Sequence, residues 1–356
     1  MSALGQDLSW LFAGIGDARN FFATLIPLIS SEEKGEAPSS RHFHFTLIDL
    51  NATAIARVLI MLHLLDQTDD TEALACMIYV FGSYVMPSFA YEKLQQTISA
   101  LIDGLQRESP VQDWVYLAEH QRPAILHHLH AWKTSLNGKY NTRNLRQSSL
   151  KNATISKTRR KKTLDEPEEP LTFCEYDDML FWTYGIFMPD DLELPNCETE
   201  LAGLAAILST GLSTPSSVPD EKALNIIDNT WKPNVTLVDI NWDSVRDSDS
   251  PHSDPPDFHF DSPAVHKALF NPSEEVAEGF GITSFWGWSN VFFRSVSQAI
   301  GTLRERLCVE VVLGEMNDCL ERLQHDAWTS RGDKQGKFEP ALFPRTYNRI
   351  HMSNVP

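Results

Sequence analysis

Apolar and polar positions fall into three regimes along the 356-residue chain. LSWLFAG at 8–14 is an apolar run closing on glycine, the pattern of a buried strand entering a tight turn. ARNFFATLIPLIS then places Phe21, Leu25 and Leu28 on one side of a helix that starts near Asp17, an acid suited to an N-cap or first turn. HFHFTLIDL predicts a second strand ending at Asp49, and Asn51 can cap the helix spelled by TAIARVLIMLHLL. The first 66 residues therefore read as a βαβα unit.

Beyond residue 67 the alternation stops, and helical spacing dominates at 71–82, 88–106, 111–136, 172–187, 198–209 and 284–305. VTLVDI at 235–240 has the makings of one extra strand. Residues 138–170 carry few apolar side chains and switch from basic to acidic, so a disordered linker is expected at 141–170, and 243–263 reads similarly. The α/β pattern returns with CVEVVL at 308–313, a helix in MNDCLERLQHDAW, and a last strand in TYNRIHMSNVP. The expected fold is an α/β, Rossmann-like sheet from residues 1–66 plus 306–356, interrupted by a large, mainly helical insertion at 67–305. A strand of interior type at the end also leads us to expect further chain beyond Pro356, or another segment covering it.

Composition sharpens this picture. Apolar residues are 42% and charged residues 22%, the proportions of a folded globular protein. The formal charge of -18 repels phosphate backbones, so nucleic acid is not an expected partner. Five dispersed cysteines without a CxxC pair, and no basic leader, point to reduced thiols in the cytoplasm. The basic run KTRRKK at 157–162 leaves the nucleus open as a second compartment, although its setting suits a solvated charge run. Residues 73–91 are uncharged, but Gly82, Ser83 and Pro87 interrupt them and Glu72 and Glu92 flank them, so a buried helix broken near Pro87 is expected rather than a membrane span.

The candidate chemistry gathers at the first turn. A ligand approaching the backbone there needs residues without Cβ, which Gly14 and Gly16 supply, and the helix start offers free N–H groups beside Asp17. Asp49, at the tip of the second strand, can accept both hydroxyls of a ribose. Arg19 stands where a dinucleotide site needs Gly or Ala, which disfavours NAD and leaves the smaller S-adenosylmethionine. The bland alternatives are a tight turn in an empty scaffold and helix capping by Asp17 and Asn51. His127 and His130 in HHLH lack an acid or cysteine at ligand spacing, so no metal is expected, and Trp286, Trp288, Phe292 and Phe293 suit packing of the insertion.

FAGIGDARNFFATLI, FHFTLIDLNATAIARVLIMLHLL, WGWSNVFFRSV, VVLGEMNDCLERL and YNRIHMSNVP together resemble the fungal domain-of-unknown-function family 4470, which is similar to the N-terminal region of dynein axonemal assembly factor three. That resemblance implies a class I methyltransferase-related fold, with Gly14, Gly16 and Asp17 in the glycine motif and Asp49 as the ribose acid. It implies Glu315, with Met316 beside it, near the adenine, and Ser353 and Asn354 where an acceptor motif would stand, although the Pro-Pro-Tyr of that motif is missing. Two functions follow: binding of S-adenosylmethionine, with methyl transfer if an enzyme, or a noncatalytic assembly or adaptor role in which the acidic insertion meets a protein partner.

Overall fold

The computed structural model describes residues 7–33, 41–67, 70–107, 112–138, 140–147, 175–189, 198–211, 220–241, 284–325, 327–328, 331–332 and 338–352. The chain begins with strand β1 (Leu8–Ala13), helix α1 (Arg19–Glu33), strand β2 (Phe43–Asp49) and helix α2 (Ala52–Leu65). Helix α3 (Thr71–Gly82), strand β3 (Val85–Met86), helix α4 (Ser88–Gln106), strand β4 (Val115–Leu117) and helix α5 (Arg122–Lys133) follow. Next come helices α6 (Glu175–Tyr184), α7 (Glu198–Gly211) and α8 (Glu221–Thr230), strand β5 (Lys232–Pro233) and helix α9 (Phe285–Leu303). The chain closes with strand β6 (Leu307–Leu313), helix α10 (Met316–Gln324) and strand β7 (Arg349–Met352). Two units result, Met1–Thr68 with Thr97–Lys133 and Arg294–Pro356, and Asp69–Gln96 with Thr134–Phe293.

The first unit is built on a five-stranded sheet in the order β4-β6-β2-β1-β7, with every pairing parallel. Both ends of the sequence share this sheet. β1 pairs with β7 through Trp10–Arg349 to Ala13–Met352, and with β2 through Leu8–Phe43 to Ala13–Ile48. In that order β6, β2, β1 and β7 lie side by side, with β4 added outside β6.

That added strand corrects the helix expected over 111–136. A run as short as WVYL is ambiguous by periodicity, and pairing decides it: Trp114 accepts from the Val309 N–H at 2.8 Å, and Val115, Tyr116 and Leu117 align with Val309, Glu310 and Val311. Residues 97–133 and 294–305, expected within the insertion, consequently belong to the sheet's unit. Two further differences lie in the second unit. Val235–Leu237 is a 3-10 turn rather than a strand, because Asn234 caps it and also donates to the carbonyls of Tyr79, Val80 and Ser83 at the end of α3. Residues 142–147 of the expected linker are helical, with Arg146 paired to the buried Asp228 at 2.9 Å; residues 148–170 lie outside the described residues, as does 243–263.

Two differently made layers cover the sheet. On one face Trp10, Phe12, Phe43 and Phe45 form an aromatic layer, with Trp10 stacked on Phe45 at 4.7 Å and Phe21 of α1 edge-on to Phe45 at 5.2 Å and to Phe12 at 6.2 Å. Each fully buried phenylalanine contributes about 1.5–3 kcal/mol. On the other face Leu11, Ala13, Ile48, Val312 and Cys319 form the core, with Met316, Leu320, Leu323, Trp328 and Tyr347 packed over it. Separately, the second unit centres on Tyr79, edge-on to Trp231 at 5.8 Å and tilted against Trp286 at 5.1 Å, while Phe293 packs on Phe81. No helix among the described residues is long and apolar enough to cross a membrane; 71–91 is broken by Ser83 and the β3 strand before Pro87.

Candidate functional site

The turn after β1 sits at the carboxyl edge of the sheet, beside the boundary between β1 and β7 where the strand order reverses. Open parallel sheets bind ligands in the crevice at such a point. Gly14 and Gly16 adopt φ of 70° and 52°, left-handed values that glycine alone takes without steric cost, and Ala18 follows at 60°. The backbone is held tightly: the N–H groups of Gly14 and Ile15 both reach the Ile48 carbonyl, at 2.9 and 3.1 Å. A Cβ built on Gly16 would meet nothing within 4 Å, so the space beside this residue is open.

Asp49 is the organising side chain. One carboxylate oxygen accepts from the Gly16 N–H at 3.0 Å and the other from the Asn51 N–H at 2.9 Å, while its backbone carbonyl accepts from Gly314 at 2.9 Å. Three strand ends are thereby tied together. Each carboxylate oxygen keeps a second acceptor position. Leu50, next in sequence, is 72% exposed, an apolar side chain presented at the same edge. Asp17 accepts from the Arg19 N–H at 3.1 Å and pairs with its guanidinium at 3.2 Å. Burial brings the pKa of Arg57 on α2 down to about 10, against the opposing charge of Asp17.

Glu315 and Met316 stand at the adjacent turn. Glu315 caps α10, its carboxylate accepting from the Asp318 N–H at 2.8 Å. Met316 packs into the core at that edge. Gly314 lies so close to α10 that an added Cβ would come within 2.9 Å of Cys319 Sγ. Gln121, which no sequence signal marked, brackets the end of β6 by exchanging hydrogen bonds with the Leu313 backbone at 3.2 and 3.3 Å. Of the sequence candidates, Gly14, Gly16, Asp17 and Asp49 come together, Glu315 and Met316 lie alongside, and Ser353 and Asn354 fall outside the described residues. In HHLH it is His128 that is fully buried, facing the Thr53 hydroxyl at 3.1 Å. Among the described residues no three His, Cys, Asp or Glu side chains group to hold a metal.

A second polar arrangement escaped the sequence reading. Glu310, in the middle of β6, is 1% exposed and accepts from Arg331 Nε at 2.7 Å and Nη2 at 2.5 Å, and from the Thr46 hydroxyl at 2.8 Å. Arg331 also donates to the Tyr347 hydroxyl at 2.9 Å and the Pro344 carbonyl at 2.7 Å. Burial alone would raise the Glu310 pKa; Arg331 and the neighbouring His44 reverse this and hold it at about 2. Burial and the Glu310 charge push the Tyr347 phenol up to about 12. The lone acid inside CVEVVL was the available signal, since a charge in a central strand must be paired.

A cavity in the first unit lies elsewhere. Its volume is about 320 Å³, and it opens at the amino edge, where β2 and β6 begin, lined by residues that include His44, Cys308 and Phe343. Six residues along β2 separate it from Asp49, roughly 20 Å.

Fold and turn together define an α/β protein with an open parallel sheet and a glycine turn at its switch point. Residues 2–86, which include that turn and Asp49, match the family model described as Domain of unknown function (DUF4470). No curated protein and no solved structure gives a significant match to the chain.

Proposed function

We propose that the carboxyl edge binds S-adenosylmethionine on a class I methyltransferase-like scaffold. The observation that carries this reading is the pairing of Gly16, with open space where a Cβ would stand, and Asp49 beside the switch point. Asp49 would take the ribose hydroxyls through its remaining acceptor positions, Leu50 would lie against the flat base, and the open space beside Gly16 would take the amino-acid end. The cofactor itself supplies a methyl group activated by its sulfonium. The chain's own contribution is positioning, which is what an in-line transfer chiefly requires.

The competing reading is a noncatalytic scaffold that works through a protein partner. It is favoured by one observation: Asp49 already accepts from two backbone N–H groups and so has a structural task without any ligand. Isothermal titration of the full chain separates the two. Cofactor or its demethylated product should bind with a micromolar Kd, about 8 kcal/mol, and raise the melting temperature. Asp49→Ala should weaken binding about tenfold or more, since a charge-assisted bond contributes about 1.5–3 kcal/mol. Absence of heat and of thermal shift at millimolar ligand would favour the scaffold.

A further inference from the structure

The amino-edge cavity takes no part in the proposal above, and its lining has chemistry of its own. At about 320 Å³ it is large enough for a ligand of one or two rings, small-molecule sites spanning roughly 300–1,000 Å³. Phe43, Phe338 and Phe343 are all buried and make its walls aromatic. His44 stands edge-on to Phe343 at 5.2 Å and is 7% exposed, with its Nε2 3.5 Å from the Glu310 carboxylate. The walls are therefore apolar rings with one buried imidazole among them.

The mouth differs from the walls. Asp7 and Glu305, both exposed, supply negative charge there, and Arg306 supplies positive charge, its guanidinium lying over the Phe43 ring at 5.7 Å. Asp7 also accepts from the His42 N–H at 3.0 Å, which fixes it at the rim. Opposite charges beside an aromatic chamber suit a ligand that carries both charges next to a ring. A ligand with both charges can meet both sides of the mouth, whereas a ligand with one charge meets only one of them.

We infer that this cavity is a second binding site, for a small zwitterion with an aromatic body, the class that includes the aromatic amino acids. The ring enters among Phe338, Phe343 and His44, where offset and edge-on contacts favour it. The ammonium group meets Asp7 and Glu305, and the carboxylate meets Arg306. Because roughly 20 Å of β2 lies between the two edges, the site stands or falls independently of cofactor binding at Asp49.

Cys308 gives a local reporter, being partly exposed in the cavity wall, whereas Cys76 and Cys319 are buried with thiols held protonated by that burial. The experiment uses the full chain with Cys174 and Cys197 replaced by serine, and follows iodoacetamide alkylation of Cys308 by mass spectrometry. L-Tryptophan is the probe, with tryptamine and indole-3-propionate as single-charge controls. Tryptophan should slow alkylation about tenfold at saturation, and each control should need about fivefold higher concentration. Glu305→Gln should narrow tryptophan's advantage over indole-3-propionate, and Arg306→Gln its advantage over tryptamine. S-Adenosylmethionine should leave Cys308 alkylation unchanged. Equal protection by all three indoles, or none by tryptophan at about 10 mM, would overturn the assignment.

Discussion

The two edges of the central sheet are built by different means. At the carboxyl edge the backbone makes the shape: left-handed glycines, shared N–H groups and one carboxylate tie three strand ends together. At the amino edge side chains make it, and the residues that line the cavity come from Asp7, the start of β2, the start of β6 and the 338–343 segment. A backbone-made site demands particular residues at neighbouring positions, and so it leaves a motif. A side-chain-made site draws on residues some 300 positions apart, and so it leaves none.

The largest test of that contrast removes what separates the edges. Arg331→Ala would strand the Glu310 carboxylate in the interior, and breaking a buried pair costs about 3–5 kcal/mol, measurable as a lower urea midpoint. The same pair sets an acid limit. The folded pKa of Glu310, about 2, lies below its unfolded value, so its contribution is present in full above roughly pH 4.3 and is lost as pH falls toward 2. Arg331→Ala should flatten the acid branch of a melting-temperature profile over that window; an unchanged profile would show that other carboxylates govern acid unfolding.

A smaller effect is expected at the turn. Gly16→Val meets no neighbour, yet its φ of 52° is left-handed, so the penalty should be about 1–2 kcal/mol from the backbone alone. Gly16→Asn should recover part of this, because asparagine tolerates that conformation. Equal losses for both would mean that space rather than φ constrains the turn. The smallest effect sharpens the contrast most. Leu50→Ala should change stability by less than about 0.5 kcal/mol, as exposed sites usually do, while weakening cofactor binding several-fold. Unaltered affinity would remove Leu50 from the proposed base contact.

These differences explain what could be read in advance. β1, β2 and β6 were legible because interior parallel strands are near-continuous apolar runs bounded by turn residues, whereas β7, the exposed edge strand, was marked only by Ile350 and Met352 after Tyr347. β4 was not, since three residues within a helix-compatible stretch acquire their identity from β6. Gly14, Gly16, Asp17 and Asp49 were legible as a group and are found together. Arg331 and Tyr347 were not, because only the folded chain carries them to Glu310, 21 residues from the first.

The pairing of β1 with β7 also has a consequence for the protein's manufacture. Ser9 donates its N–H to the Asn348 side chain at 2.7 Å across a separation of 339 residues, so the outer neighbour of the first strand is made long after it. At about 5–20 residues per second, the nascent chain spends roughly 20–70 s with β1 unpaired on that side. During this interval β6 is also absent for most of the time, leaving the βαβα beginning as a partial sheet with both flanks open. Stalled chains ending before Leu307 should be cut by protease within β1 or β2 faster than the full chain is.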